Sequence, residues 1–175
     1  SLPLHLQTFP IANTSLEIYI PDAEAVQKIY SNNKGAAYWA QVRPASIGLC
    51  NFLQERPQYI KGKSLLELAA GLGLPGLYAA GGAKQVTITD REEQGIMHTT
   101  IYYDVNYESA VFDELLAVLE YFLQHKITIV ISTPQRLIAK PFISRLLPYC
   151  TQQWNCGILL NRNETGVSVF VLEEQ

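Results

Sequence analysis

The sequence predicts an α/β fold with a doubly wound, mostly parallel sheet, and three observations indicate it. Two short apolar runs, Ser64–Leu68 and Gln85–Asp90, have the length and composition of buried parallel strands. Between them, Leu74–Ala80 carries helical signals, because a proline suits its first turn and a Gly-Gly pair follows it. The chain ends in two strand-like stretches, Trp154–Leu160 and Gly166–Leu172, which predict a C-terminal antiparallel hairpin.

The N-terminal part predicts a separate β-hairpin followed by a short helix. Leu4–Ile11 and Ser15–Ile20 are β-like and flank a possible turn. Asp22 can cap a helix over Ala23–Tyr30. We therefore predict one domain over residues 1–175, in which residues 1–34 form the hairpin and helix and residues 35–175 form the core.

The second half of the chain continues the α/β pattern. Apolar residues at helical spacing predict a helix from Ala110 to about Gln124, with Ser109 as its cap. A buried strand over Ile127–Ser132 and a helix over Ala139–Leu147 follow. These elements are the ones that a doubly wound sheet requires before the terminal hairpin.

Composition and charge exclude several classes of protein. The length of 175 residues fits one domain, and 48% hydrophobic residues suffice for one core. The net charge of −3 gives no basic field, so we expect neither nucleic acid nor a membrane surface as a partner. No apolar run is long enough to span a bilayer, and the start of the chain does not resemble a signal peptide.

The cysteines and histidines predict no metal site. Cys50, Cys150 and Cys156 are odd in number and lack C-x-x-C spacing, which is typical of free thiols packed in the core of a cytoplasmic protein. The three histidines match no metal-ligand spacing. The sequence makes no prediction of an oligomeric state.

The most informative stretch runs from Ser64 to Leu77. A carboxylate inside a doubly buried strand is costly, so Glu67 should mark the carboxyl end of that strand, where open α/β sheets bind ligands. Gly71 and Gly73 allow the backbone to approach a ligand closely. The next predicted strand ends in a second acid, Asp90.

Two other interpretations use the same residues. Gly71, Gly73 and Gly76 form a literal G-x-G-x-x-G, and Asp90 has roughly the spacing of the ribose-binding acid in dinucleotide folds. Two features argue against a nicotinamide cofactor. Glu67 stands between the apolar strand and the first glycine, and the chain is too short for the second mononucleotide-binding half of a dinucleotide fold. A glycine turn that only packs a helix on the sheet stays open as the second interpretation.

An acid, a glycine turn and a second acid in this order resemble the S-adenosylmethionine site of the seven-strand (class I) methyltransferases. The stretch from Trp39 through Pro44-Ala45-Ser46 resembles a "W-P-A-S" helix of their protein-lysine methyltransferase-like group. The resemblance implies cofactor-binding roles for Trp39, Glu67, Gly71, Gly73 and Asp90. Ala69 stands where the family pattern usually has glycine, and Trp39 could also be a half-buried anchor of its loop.

A second motif, Asp104-Val-Asn-Tyr107, resembles the D-x-x-Y signature of the same group. It follows a predicted strand over residues 96–103. The resemblance implies that Asp104 holds the acceptor amine and that Tyr107 supports the wall of its pocket, as catalytic residues. The alternative is that Asp104 caps the following loop or helix.

The stretch between Asp90 and Asp104 conflicts with a complete seven-strand sheet. Two parallel neighbours need a crossover of about a dozen residues or more, and a third strand with its helices needs several tens more. Either this protein lacks its third-strand region, or the sequence joins residues across a disordered stretch close to Gly95–Ile96. We expect the second, because deletion of an internal strand leaves two sheet positions unpaired.

The resemblance implies an S-adenosylmethionine-dependent N-methyltransferase that acts on a protein lysine or another amine. Methyl transfer requires mainly positioning and a suitable electrostatic environment, which these residue types can supply. Two alternatives remain at this point: a methyltransferase of small-molecule amines, and a scaffold or binding protein that keeps the fold without turnover.

Overall fold

The computed structural model describes residues 2–29, 31, 39–68, 70–90, 112–135 and 140–174. It divides into two compact units, Ser1–Tyr103 and Asp104–Gln175, each of which is described by itself. The strand expected over residues 96–103 and the expected break near Gly95–Ile96 lie outside the described residues. Both stay predictions, as does a single domain over the whole chain.

The first unit contains four strands and three α-helices in the described ranges. Their bounds are β1 Leu4–Ile11, β2 Thr14–Pro21, α1 Ala23–Ile29, α2 Pro44–Glu55, β3 Ser64–Leu68, α3 Leu74–Ala80 and β4 Gln85–Thr89, with a 3-10 turn at Pro57–Tyr59 after α2.

The predicted N-terminal hairpin is confirmed, and it forms a two-stranded antiparallel sheet of its own. Its inward face buries Phe9, Ile11 and Ile18. At the hairpin turn, the Ala12 N–H donates to Asn51 Oδ1 of α2 at 2.8 Å, so a helix side chain fixes the turn. The predicted cap of α1 is also confirmed, because the Ala25 N–H donates to Asp22 Oδ1 at 2.9 Å.

Strands β3 and β4 are parallel neighbours, as predicted, with Glu67 opposite Ile88 and Leu68 opposite Thr89. Helix α3, the crossover between them, packs on β4 and on α2. Side chains alternate along β3, so Leu66 and Leu68 lie on the face opposite Glu67, where they are 51% and 38% exposed. One face of this two-stranded sheet thus carries α3 and supports the turn that leads into it.

The second unit contains α4 Phe112–Gln124, β5 Ile129–Pro134, α5 Lys140–Leu146, a 3-10 turn at Leu147–Tyr149, β6 Cys150–Leu160 and β7 Asn163–Leu172. Its three strands form an antiparallel sheet in the order β5–β7–β6. Apolar residues of α4 and α5 pack against Phe170 and Leu172 of β7 to form its core. Because β5 lies at the edge of this described sheet, Pro134 can end the strand without removing a needed hydrogen bond.

The C-terminal hairpin is confirmed with longer strands and a tighter connection than predicted. We expected a loop over residues 161–165, whereas Asn161 and Arg162 alone form the turn, with φ of 51° and 65°. Positive φ at both central residues is typical of the two-residue turn whose twist matches the flanking strands.

The α/β class is confirmed, but the seven-strand sheet is not observed as one sheet. The strands of the described ranges form sheets of two, two and three strands, without a hydrogen-bonded ladder that joins them. A doubly wound sheet needs a further parallel strand next to β3 and β4, and the stretch predicted to supply strands there lies among residues 91–111, outside the described part. In the part of the chain that the structure covers, no helix has the length and apolar character needed to span a bilayer.

Candidate cofactor site at the glycine turn

The turn after β3 depends on two left-handed residues. Gly71 has φ of 56° and Gly73 has φ of 72°, a conformation that costs residues with a Cβ roughly 1–2 kcal/mol each. Gly73 is also the N-cap of α3, and its carbonyl accepts the Leu77 N–H at 2.9 Å. The glycine pattern is therefore required by the backbone itself, and it leaves the turn without side chains at these two positions.

Asp90 is bonded to this turn. It follows β4 directly, and its Oδ2 accepts the Gly71 N–H at 2.7 Å, a short, charge-assisted hydrogen bond. Thr89 Oγ1 donates to the Glu67 carbonyl at 3.1 Å, which also joins the two strand ends. The structure thus brings Gly71, Gly73 and Asp90 together at the carboxyl edge of the parallel pair, where the sequence placed them.

The backbone of Glu67 lies at this edge of the sheet, but its side chain points to the face of β3 that packs against α3. A Cβ on Gly76 of α3 would overlap Glu67 Oε2, and both carboxylate oxygens of Glu67 are shielded from solvent. The cause is strand alternation: Glu67 shares its face with Leu65, under α3. The cofactor contact expected for Glu67 stays a prediction, and the structure adds a packing role that the sequence did not indicate.

The Glu67 carboxylate belongs to a buried group that includes Cys50 of α2 and extends to Tyr78 of α3. Burial raises the pKa of the Cys50 thiol well above its ordinary value, and the negative charge of Glu67 adds to the effect. Burial also raises the pKa of Tyr78, with a smaller contribution from Cys50. Cys50 is fully buried, as the sequence predicted for a core thiol, whereas Cys150 and Cys156 are half-buried.

Trp39 lies shortly before α2, which begins at Pro44 as the sequence predicted. The side chain is 5% exposed, so it is more deeply buried than a half-exposed loop anchor. Its indole Nε1 is buried without an acceptor among the described residues. The cofactor contact expected for Trp39 therefore stays a prediction.

The two residues expected to act on the acceptor, Asp104 and Tyr107, lie outside the described residues and stay predictions. Sequence reasoning missed the contributions of Gly76 and Thr89. The G-x-G-x-x-G spacing contains Gly76 and could have indicated it, whereas nothing in the sequence distinguishes Thr89 from any other strand threonine.

Comparisons with known proteins show which families this sequence is similar to. Residues 22–103, a little under half of the chain, match the lysine methyltransferase family model. Over 53 residues the chain is 49% identical to protein N-lysine methyltransferase METTL21A of Danio rerio and 43% identical to that of Xenopus tropicalis. Over 80 residues it is 32% identical to histone-arginine methyltransferase METTL23 of Rattus norvegicus.

The matches to these relatives are partial. They cover 30%, 30% and 46% of this chain, and the chain spans 24%, 25% and 31% of the length of the three proteins. The family match includes Trp39, the glycine turn and Asp90, and it ends just before the D-x-x-Y motif. Residues 22–103 of this chain are therefore similar to the lysine methyltransferase family, in agreement with the resemblance that the sequence motifs predicted.

Proposed function

We propose that this protein is an S-adenosylmethionine-dependent N-methyltransferase whose acceptor is a lysine side chain of another protein. The observation that carries the proposal is the hydrogen bond from the Gly71 N–H to Asp90. It brings the two most specific elements of the predicted cofactor site together, within the segment that matches the lysine methyltransferase family model.

The residues at the turn fit this cofactor. The left-handed glycines present bare backbone to a ligand. A carboxylate has about four lone-pair sites, so Asp90 has the capacity to accept ribose hydroxyls while it keeps its bond to Gly71. The cofactor-binding role of Trp39 follows from the family resemblance. When bound, S-adenosylmethionine supplies a methyl group on a positively charged sulfur.

The acceptor side of the proposal concerns Asp104 and Tyr107. Asp104 would hold the substrate amine and stabilise the positive charge that develops on its nitrogen as the amine accepts the methyl group. Tyr107 would orient the nitrogen lone pair through its hydroxyl. Both roles follow from the family resemblance, and positioning of this kind accounts for most of the catalysis that methyl transfer requires.

A protein arginine is the second candidate acceptor. One of the matched relatives is named a histone-arginine methyltransferase, and its match covers more of this chain than those to the two lysine methyltransferases. We favour lysine because the family model and both other relatives carry that description.

The experiment that tests the proposal is incubation of the full chain with S-adenosylmethionine labelled in its methyl group and a cell extract. Mass spectrometry then identifies the modified residues. Methyl-lysine on a protein supports the proposal, methyl-arginine supports the second candidate, and label in small molecules only rejects both. Binding of S-adenosylhomocysteine without any transfer would show a binding protein that lacks turnover.

A matched pair of variants tests whether methyl labelling depends on the glycine turn. Asp90→Ala removes the carboxylate at the glycine turn and should abolish most labelling. Asp113→Ala removes a carboxylate that is 86% exposed at the start of α4 and should leave labelling unchanged. Equal activity of the two variants would reject the assignment of Asp90.

A further inference from the structure

The sheet of the second unit carries an open cleft of about 570 Å³ that the proposed reaction does not use. The volume lies in the range of small-ligand sites. The lining residues come from the end of β5 and from β6 and β7: Gln135, Asn155, Cys156, Gly157, Glu164 and Gly166.

The floor of the cleft is a pair of glycines. Gly157 of β6 and Gly166 of β7 are direct partners across the two strands. Directly opposite residues share one face of the sheet, so that face has no side chain from this pair. Glu164 Oε1 lies 2.6 Å from where a Cβ of Gly157 would be, and Gln135 Oε1 lies 2.8 Å from where a Cβ of Gly166 would be. Two side-chain oxygens therefore occupy the space that the missing side chains leave.

Hydrogen bonds fix the orientation of the Gln135 amide. Its Nε2 donates to Ser168 Oγ at 3.0 Å and to Asn155 Oδ1 at 3.3 Å. Ser168 Oγ donates to the same Asn155 oxygen at 2.7 Å. Because Asn155 Oδ1 acts as an acceptor in this network, a reversed Gln135 amide would place two oxygens against each other. The Gln135 oxygen is thus held on the side of the glycine floor.

The cleft is lined by acceptors and carries negative charge. Glu164 is the one charged residue among those that line it, and no ion pair to Glu164 is present within the described ranges. A carboxylate and an amide oxygen packed over the glycine backbone suit a cationic group that donates several hydrogen bonds. Gln135 is the first residue beyond the carboxyl end of β5, so the end of that strand fixes the position of its backbone.

We propose that this cleft binds the ammonium group of a lysine side chain in the protein substrate, in addition to the lysine that is methylated. The proposal rests on the proposed function for its choice of a protein ligand. It assigns Glu164 as the counter-charge and Gln135 as a neutral acceptor, both of which would contact the ammonium group.

The test is a nuclear magnetic resonance titration of the 15N-labelled full chain with the peptide acetyl-Gly-Gly-Lys-Gly-Gly-amide. The control is the same peptide with norleucine, which keeps the aliphatic chain and lacks the charge. We expect saturable shifts of the Gly157 and Gly166 amides with the lysine peptide and none with the norleucine peptide. Equal shifts with both peptides, or shifts confined to other residues, would overturn the proposal.

Three variants sharpen the test. Glu164→Gln should weaken binding about two- to fivefold, the effect of losing one exposed ion pair. Glu174→Gln makes the same charge change at another exposed position of this unit and should change nothing. Gly157→Ala keeps the charge but fills the floor, and it should also weaken binding. Unchanged affinity in both cleft variants, with native spectra, would reject the site.

The titration requires neither S-adenosylmethionine nor turnover, so its failure differs from failure of the proposed function. If the lysine peptide shifts the cleft amides but the protein transfers no methyl group, the binding proposal is supported and the methyltransferase proposal is rejected. If the protein methylates a lysine of another protein but the cleft amides do not shift, the methyltransferase proposal is supported and the binding proposal is rejected.

Discussion

Replacement of Gly76 by alanine tests the placement of Glu67 under α3. A Cβ at position 76 would overlap Glu67 Oε2 and lie 2.9 Å from Ile88 Cδ1. Both atoms end flexible side chains and can rotate away. The carboxylate oxygens of Glu67 are buried, however, so rotation must bring a charged group to another buried position or out to solvent.

The expected change in the free energy of unfolding combines two opposing effects. A glycine-to-alanine change inside a helix ordinarily stabilises by up to about 1 kcal/mol. Overpacking costs about 1–3 kcal/mol, and we take the lower half of that range because the side chains can move. Gly76→Ala should therefore be neutral or lower the free energy of unfolding by up to about 2 kcal/mol.

The matched control is Gly81→Ala at the end of the same helix. Gly81 has a right-handed φ of −67°, and a Cβ there would lie 3.5 Å from the Tyr78 carbonyl oxygen, an ordinary contact. This variant should be neutral or stabilising. We thus expect Gly76→Ala to be less stable than Gly81→Ala by about 1–2 kcal/mol.

Urea denaturation of the full chain measures these differences from the midpoint and slope of unfolding. The same two changes are then made in a Glu67→Ala background. The cost of Gly76→Ala should fall there by at least about 0.5 kcal/mol, the range of coupling between residues in contact. If Gly76→Ala matches Gly81→Ala, or if its cost is independent of residue 67, the placement of Glu67 is wrong.

Three further predictions concern the cofactor, catalysis and the core. Asp90→Ala should weaken S-adenosylhomocysteine binding by at least about 1 kcal/mol, because it removes a charge-assisted acceptor, and calorimetric titration checks this. Asp104→Asn should lower kcat and leave that affinity nearly unchanged, whereas loss of both would show a structural role. Cys50 should resist alkylation in the folded protein even near pH 9, because burial, reinforced by Glu67, holds its pKa well above the ordinary value and keeps the thiol protonated. Rapid labelling of Cys50 before unfolding, identified by mass spectrometry, would contradict the assignment.

Local signals in the sequence were sufficient for most elements of the described part. The bounds of α3 are those predicted, because a proline and a glycine pair mark both its ends. The parallel pair β3 and β4 and both hairpins also agree with prediction. The predicted strand ends were less accurate. Strand β6 begins at Cys150 and not at Trp154, because polar residues in an exposed stretch give no strand signal.

The site was predictable in its backbone and less so in its side chains. Gly71, Gly73 and Asp90 meet as expected, because the ends of parallel neighbours share one edge of the sheet. The Glu67 carboxylate packs against Gly76, a contact that the sequence did not indicate, and its expected role in cofactor binding stays a prediction. An acid near a strand end indicates position along the strand, but the face to which it points depends on register.

The sequence by itself determined the α/β class, the glycine turn between two strand-end acids, and the similarity of residues 22–103 to the lysine methyltransferase family. These features depend on local conformational preference and on motif spacing, which the chain carries regardless of its packing. The tertiary structure decided where the Glu67 carboxylate packs, how Asn51 fixes the hairpin turn, and how two glycines form the floor of a cleft. Each of these depends on residues brought together from distant parts of the chain, so the pairing of strands and helices had to be known first.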